Sequence, residues 1–420
     1  MENYKYIIVR LKNKIDFILY GIKIGKINLI VLIINVFILG YSLSEYKKIM
    51  SEKSVFVIIL LVFINIIWQI ISTIQDYYLY IKQTKYYSTD KSKLAKNFLI
   101  DEDINKEYKE LYISETGNTI IYSERINSIL NSNISIKMKL SKKKQKNIEK
   151  YIKTYKDILL PFLNYKWHEI ENRKGLFYNE KKLCMASEIV QCENEYIVFV
   201  NKSSYYNSYL TNNIYNIRMS HQNGLYIEAP LNSKNYPIRA LDVCYMSNHI
   251  GVSTIAVSTD GYAIMLRHNN RTAMFTDKLL PTGSGSMDFA DMHNNSDLKK
   301  CIIKAVEREL QEETGILSKS TVLINTKILG FYRDLNRGGK PEFCCISHLN
   351  CNRFELLEII QPSILEQRED IKRIQIIENN KLIHRTIDDL LNSLKAEDKE
   401  WSLSLYMNFL MLYKYYHNHK

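Results

Sequence analysis

The 420-residue chain has few residues that punctuate a backbone, with 14 glycines, 6 prolines and 3 tryptophans. Its polar middle, 77–165, carries no internal repeat, collagen-like tract or Pro-rich linker, which excludes solenoid and fibrous architectures there. Cysteine is scarce too. The seven (Cys184, Cys192, Cys244, Cys301, Cys344, Cys345 and Cys351) are odd in number and lack framework spacing. That argues against a disulfide scaffold and for reduced thiols in a cytosol. Cys344, Cys345, His348 and Cys351 also lack the paired loop spacing of a zinc site, and the run around them reads as a strand. Acidic residues are in deficit: 45 Asp+Glu against 57 Lys+Arg leave a formal charge of +12. This balance favours anionic partners such as nucleotides or membrane surfaces and says nothing about fold.

What the chain does have is length enough for two or three folded units, and two uncharged apolar runs near its start. INLIVLIINVFILGYSL begins at 27 and VFVIILLVFINIIWQIISTI at 55. Each approaches the ~20 residues that cross a ~30 Å hydrocarbon core as a helix. The expectation is a two-helix transmembrane hairpin, 27–46 and 55–75, behind a basic segment 1–26. Lysine and arginine on both outer flanks predict cytoplasmic N- and C-termini and a multi-pass bacterial inner-membrane protein. Asn65 and Gln69 share one face of the second run and Asn35 lies in the first. These polar groups suit helix–helix hydrogen bonding, or self-association when several copies gather.

Residues 76–174, with the lysine-dense KMKLSKKKQKNIEKYIKTYK, read as a helical basic connector. From 175 to 420 the texture becomes mixed α and β. Short β-branched runs alternate with polar stretches, and Asp260-Gly261 between apolar runs signals a hairpin. WSLSLYMNFLMLYKYY is too short and polar to span a membrane and reads as a docking helix.

The chemistry concentrates in RELQEETGI, 308–316. Ser296 or Asn295 can cap a helix that Gly315 ends. At ~100° per residue, Leu298, Ile302, Ala305, Val306 and Leu310 form a core-facing stripe. Glu309, Glu312 and Glu313 continue that stripe. Carboxylates there need partners, because an unpaired buried charge costs several kcal/mol. Arg308 reaches Glu312 one turn on, but one guanidinium cannot satisfy three carboxylates. Clustered carboxylate oxygens at this spacing suit Mg²⁺. Upstream, Gly283, Ser284, Gly285 and Ser286 make a glycine-rich turn whose amides suit phosphate.

RELQEETGI resembles the second half of the NUDIX box, matching its pattern at Arg308, Glu309, Leu310, Glu312, Glu313, Gly315 and Ile316. The resemblance implies an α/β/α sandwich around a mixed sheet. It also implies a Mg²⁺ or Mn²⁺ site at Glu309, Glu312 and Glu313, with Arg308 orienting a glutamate, and hydrolysis of nucleoside diphosphate derivatives. The first half departs: Lys300 stands where a glutamate is expected, and Asn294 where a glycine is. Gly285 to Asp291 has the correct internal spacing if an insertion of about ten residues follows. This departure favours binding over turnover.

Apolar hairpin, connector and NUDIX-like domain together resemble the two-transmembrane NUDIX effectors of bacterial cyclic-oligonucleotide antiphage (CBASS) systems. That likeness implies a receptor for a cyclic dinucleotide or trinucleotide, homo-oligomerisation, and disruption of inner-membrane lipid in abortive infection. A nucleic-acid polymer is not an expected partner. Arg267, Arg333 and Arg337, with Arg271, Lys278 and Lys340, are the expected phosphate contacts. The alternative is a membrane-tethered, Mg²⁺-dependent NUDIX hydrolase.

Overall fold

The structure is a computed structural model. It describes residues 2–24, 37, 40, 57, 60–68, 71, 87–90, 98–172, 175, 177–221, 226–227, 229–232, 235–267, 278–292, 296–316, 324–360, 371–378, 381–382 and 401–418.

The basic N-terminal segment forms helix α1 (Glu2–Ile24), which docks on the body. Phe17 stacks on Trp167 with ring centroids 4.8 Å apart, and the Tyr20 hydroxyl donates to Asn207 at 2.7 Å. The expected transmembrane hairpin and multi-pass placement are corrected: among the described residues no helix is long and apolar enough to cross a membrane. Asn35 and Gln69 lie outside the described residues, as does most of 27–46; Asn65 is exposed within the helical stretch 60–68.

Residues 76–174 are not merely a connector. They supply β1 (Lys109–Ile113) and β2 (Asn118–Tyr122), helix α2 (Glu124–Asn131), β3 (Ile136–Leu140), α3 (Lys142–Thr154) and α4 (Lys156–Asn172). Ser123 caps α2 by accepting from the Ile126 amide. The lysine run is split, its first residues lying in β3 and the rest in α3. The amphipathic pattern of α3 buries Ile148, Tyr151 and Ile152 and turns most lysines to solvent. A second sheet follows, in which β3 runs parallel to β5 (Glu195–Ser204) and β4 (Lys181–Met185) antiparallel to it.

The main sheet adds β6 (Gly251–Val257), β7 (Tyr262–Arg267), β8 (Leu279–Leu280), β9 (Gly283–Ser286), β10 (Ile324–Asp334), β11 (Lys340–Leu349) and β12 (Ile371–Gln375). Its order is β8-β7-β6-β11-β10-β2-β1, with β9 also on β6 and β12 on β7. The β6–β11 pair is parallel and its flanking pairs are antiparallel, so the sheet is mixed. Asp260-Gly261 turns the β6–β7 hairpin, Gly261 with φ of 80°.

Two helices cover opposite faces: α5 (Leu298–Thr314) and α6 (Leu403–Asn418). Strand alternation sorts the side chains between them. Phe331, Phe343 and Cys345 join Cys301, Ile302, Ala305 and Val306 of α5 in one core. Tyr332, Cys344 and Ile346 join Leu405, Met407 and Phe409 of α6 in the other. Cys344 and Cys345 therefore face opposite ways and cannot share a metal. Strand β4 joins the second sheet to the main one, with isolated bridges from Lys182 to Asp288 and Cys184 to His249.

Candidate ligand cavity

A cavity of ≈ 1860 Å³ lies where α1, the second sheet and the main sheet meet. Its carboxylate wall is built by α5. Asp297 caps that helix through the Lys299 amide, and Gly315, left-handed at φ 68°, ends it. The cap thus falls at Asp297, next to the expected Ser296. Leu298, Ile302, Ala305, Val306 and Leu310 are all buried in the core, which fixes the rotation of the helix. Glu309 and Glu313 are buried beside them, at 8% and 4% exposure, while the Glu312 side chain stays 57% exposed at the rim.

Arg308 ties this wall together. It is 2.9 Å from Glu309 and 3.1 Å from Glu312. It also holds Asp291 in a two-pronged pair at 3.1 and 3.2 Å. Asp288 lies 3.6 Å away, and the guanidinium donates to the Ser286 carbonyl at 3.3 Å. The Asp291 contact spans the extra residues between the two halves of the motif. The intervening chain, of which 293–295 lie outside the described residues, returns so that Gly285–Asp291 and RELQEETGI meet.

The glycine-rich segment is a strand and not an open turn. Gly283–Ser286 pairs antiparallel with β6 from Gly251 to Thr254, and the Ser284 amide donates to Glu313 at 2.8 Å. That amide serves the helix and not a ligand phosphate. The Glu309 carboxylate lies directly against Gly285, where a Cβ would overlap it and displace that side chain.

Burial is the main cause that pushes Glu309 up to about 8; Arg308 opposes it, and Glu313 and Glu312 add to it. Glu312 is raised as well, again chiefly by burial. The proton on Glu309 marks a carboxylate short of positive charge. Lys182 supplies a second cation, 2.6 Å from Asp288 and 2.8 Å from Glu180. Burial disfavours its charge, but the two carboxylates outweigh that and raise its pKa.

The donor set suits a hard divalent cation, which prefers carboxylate oxygens. Glu309, Glu312 and Glu313 are the residues that would hold it. Among the described residues no three such side chains already converge in a metal-binding arrangement. The geometry gives the reason: Arg308 draws Glu309 and Glu312 to itself, while the Ser284 amide draws Glu313. The fit rests on the donor set itself: Glu309 and Glu313 are buried side by side on one helix face with Glu312 at the rim, where one guanidinium is their main counter-charge.

The expected basic contacts divide. Arg337 lines the cavity and bridges Asp334, at 2.7 Å, and Glu342. Lys278 and Lys340 line it too. Arg333 does not belong there: it is fully buried, 2.9 Å from Glu188, and bonded to the carbonyls of Gly339 at 2.9 Å and Arg239 at 2.8 Å. Its position is corrected from cavity mouth to interior, because strand alternation on β10 turns it into the core. Arg267 ends β7 opposite Leu279, and Arg271 lies outside the described residues. Asp288, Glu180, Lys182 and His249 also line the cavity and were not singled out from the sequence. Asp288 sits within the glycine-rich motif, which could have flagged it; Lys182 and His249 carry no local signature.

No family model and no curated protein matches the chain. Among solved structures, the chain is similar to the protein DR0079 from Deinococcus radiodurans at 14% identity. That match covers 39% of this chain and 83% of the other, with a TM-score of 0.26, too slight to carry a statement about fold or function.

Proposed function

We propose that the cavity is the ligand site of a NUDIX-like receptor domain for a cyclic dinucleotide or trinucleotide, bound with a divalent cation. The observation that carries this reading is that the α5 carboxylates line the same ≈ 1860 Å³ space as Lys182, Arg337 and Lys340. A volume beyond the usual ~300–1,000 Å³ of a small-molecule pocket suits a ligand larger than a mononucleotide. Carboxylates that take a cation, facing basic groups that take phosphate, suit a ligand carrying several phosphodiesters. Phe177, Tyr178, Tyr205 and Phe289 add rings on which bases can stack. The role is that of a sensor in a cyclic-oligonucleotide defence system of the CBASS kind. No membrane-spanning step forms part of it.

In this reading Glu309, Glu312 and Glu313 hold Mg²⁺ or Mn²⁺, and the ion supplies charge that neutralises ligand phosphate. Arg308 keeps Glu309 and Glu312 oriented, and Asp291 in turn keeps Arg308 in place. A second reading, hydrolysis of a nucleoside diphosphate derivative, is favoured by one observation: Asp291 meets Arg308 in the place where the box expects a glutamate. The two readings separate in one experiment. Cyclic dinucleotides and trinucleotides are titrated one at a time with Mg²⁺, and the recovered nucleotide is analysed by chromatography. A receptor binds one of them at micromolar concentration or below and returns it intact. No binding across the panel, together with phosphate release from nucleoside diphosphate derivatives, would replace the receptor by the hydrolase.

A further inference from the structure

Besides the carboxylate wall, the cavity has a second charged surface that no motif marks. Strand β6 begins at Gly251, in parallel register with Glu342 of β11. Lys340 and Glu342 lie directly over this glycine, where a Cβ would overlap both. Lys340 pairs with Glu342, and Arg337 spans Glu342 and Asp334. Two residues before Gly251, His249 is 3% exposed and stacks on Tyr205 with ring centroids 5.8 Å apart and planes 27° apart. The backbone bridge from Cys184 to His249 brings Lys182 up from the second sheet. All of these basic and aromatic groups line the cavity.

Two features of this wall point to a ligand. The buried imidazole has a nitrogen, Nδ1, without a hydrogen-bond partner, and a buried polar atom left unpaired costs stability unless something fills the vacancy. Basic groups also surround this imidazole. After burial, the influences that lower the His249 pKa are Lys340, Arg337 and Lys182, the last of them also held by Asp288 and Glu180. Asp334 and Glu342 are already engaged by Arg337 and Lys340. Burial lowers Lys340 to about 8 despite its Glu342 partner.

We infer that His249, Arg337 and Lys340 form an anion subsite, distinct from Glu309, Glu312 and Glu313, that receives a second phosphate of the ligand without any cation. This rests on the reading of the cavity as a phosphate-ligand site and makes it bipolar. One phosphate is met through a divalent cation, the other directly by imidazole, amine and guanidinium. A ligand with two separated phosphates is thereby preferred over one with a single phosphate.

The test is calorimetric titration of the full chain with inorganic pyrophosphate in EDTA, alongside Mn²⁺ titration without pyrophosphate. Wild type is expected to bind pyrophosphate in EDTA. His249→Phe keeps the ring stacked on Tyr205 but removes its nitrogens, and is expected to weaken binding about tenfold or more, the value of one good charged or buried hydrogen bond. The double variant Lys340→Met/Glu342→Gln removes both members of a pair, so that no lone charge is left buried, and is expected to do the same. Absence of pyrophosphate binding by wild type, or unchanged binding in both folded variants, overturns the subsite. If Mn²⁺ binding fails while pyrophosphate binds as expected, the carboxylate site falls and the anion subsite stands.

Discussion

Replacing Arg333 by methionine is expected to lower the unfolding free energy by about 3–5 kcal/mol. The guanidinium is buried at every donor, with Glu188 and two backbone carbonyls as partners. Methionine fills similar space but leaves Glu188 without its cation. Tyr108 and the Leu241 amide, 3.2 Å from Glu188, would remain its hydrogen-bond donors. Four chain regions meet at this point, around 108, 188, 239–241 and 333, so the loss is felt beyond β10. Urea unfolding of wild type, Arg333→Met and Arg333→Met/Glu188→Gln measures it, with the double variant recovering part of the loss. A small change in stability accompanied by lost ligand binding would return Arg333 to the cavity and contradict its interior role.

Cation binding should strengthen steeply with pH up to about 8 and level off above it. Glu309 holds its proton until about 8, above the ordinary 4.5 of a glutamate, because it is buried and flanked by Glu313 and Glu312. A cation must displace that proton, so affinity is expected to rise about tenfold per pH unit below 8. At pH 6 it is roughly a hundredfold weaker than at pH 8. The same shift has the opposite sign for the stability of the cation-free protein. The folded state binds this proton more tightly than the unfolded state, so the contribution of Glu309 to stability is fully present below pH 4.5. It declines as pH rises towards 8, by at most about 1.4 kcal/mol per unit. Mn²⁺ titrations at pH 6, 7, 8 and 9, with thermal unfolding at the same values without cation, check both slopes. In Glu309→Gln the stability slope attributable to this group disappears. A flat affinity profile in wild type would mean that Glu309 is not a ligand.

The α5 helix was legible in the sequence because its apolar stripe and Gly315 are local signals, although the cap was expected at Ser296 or Asn295 and falls at Asp297. The same phase argument put Glu309 and Glu313 against the core, where the structure has them. It could not separate Glu312, which lies at the rim. The docking helix α6 and the Asp260-Gly261 hairpin were legible for the same reason. What was hidden depends on distant pairing. β1 and β2 read as part of a polar connector, since short strands at a sheet edge carry little periodicity of their own. Arg333 looked like a surface cation because composition cannot reveal Glu188 at its side, and His249 and Lys182 gain meaning only where two sheets meet. The two apolar runs show the limit from the other side. Hydropathy alone argued for a membrane hairpin, and among the described residues no helix supports one.

The central claim is that the α5 carboxylates take a divalent cation within the cavity. Mn²⁺ binding at pH 8, followed by the loss of free-ion signal in electron paramagnetic resonance, tests it most directly. Wild type is expected to bind one ion per chain, and Glu312→Gln/Glu313→Gln to weaken it about tenfold or more through loss of ligand charge. Wild type that leaves Mn²⁺ free, or a double variant that binds it as tightly as wild type, would contradict the account.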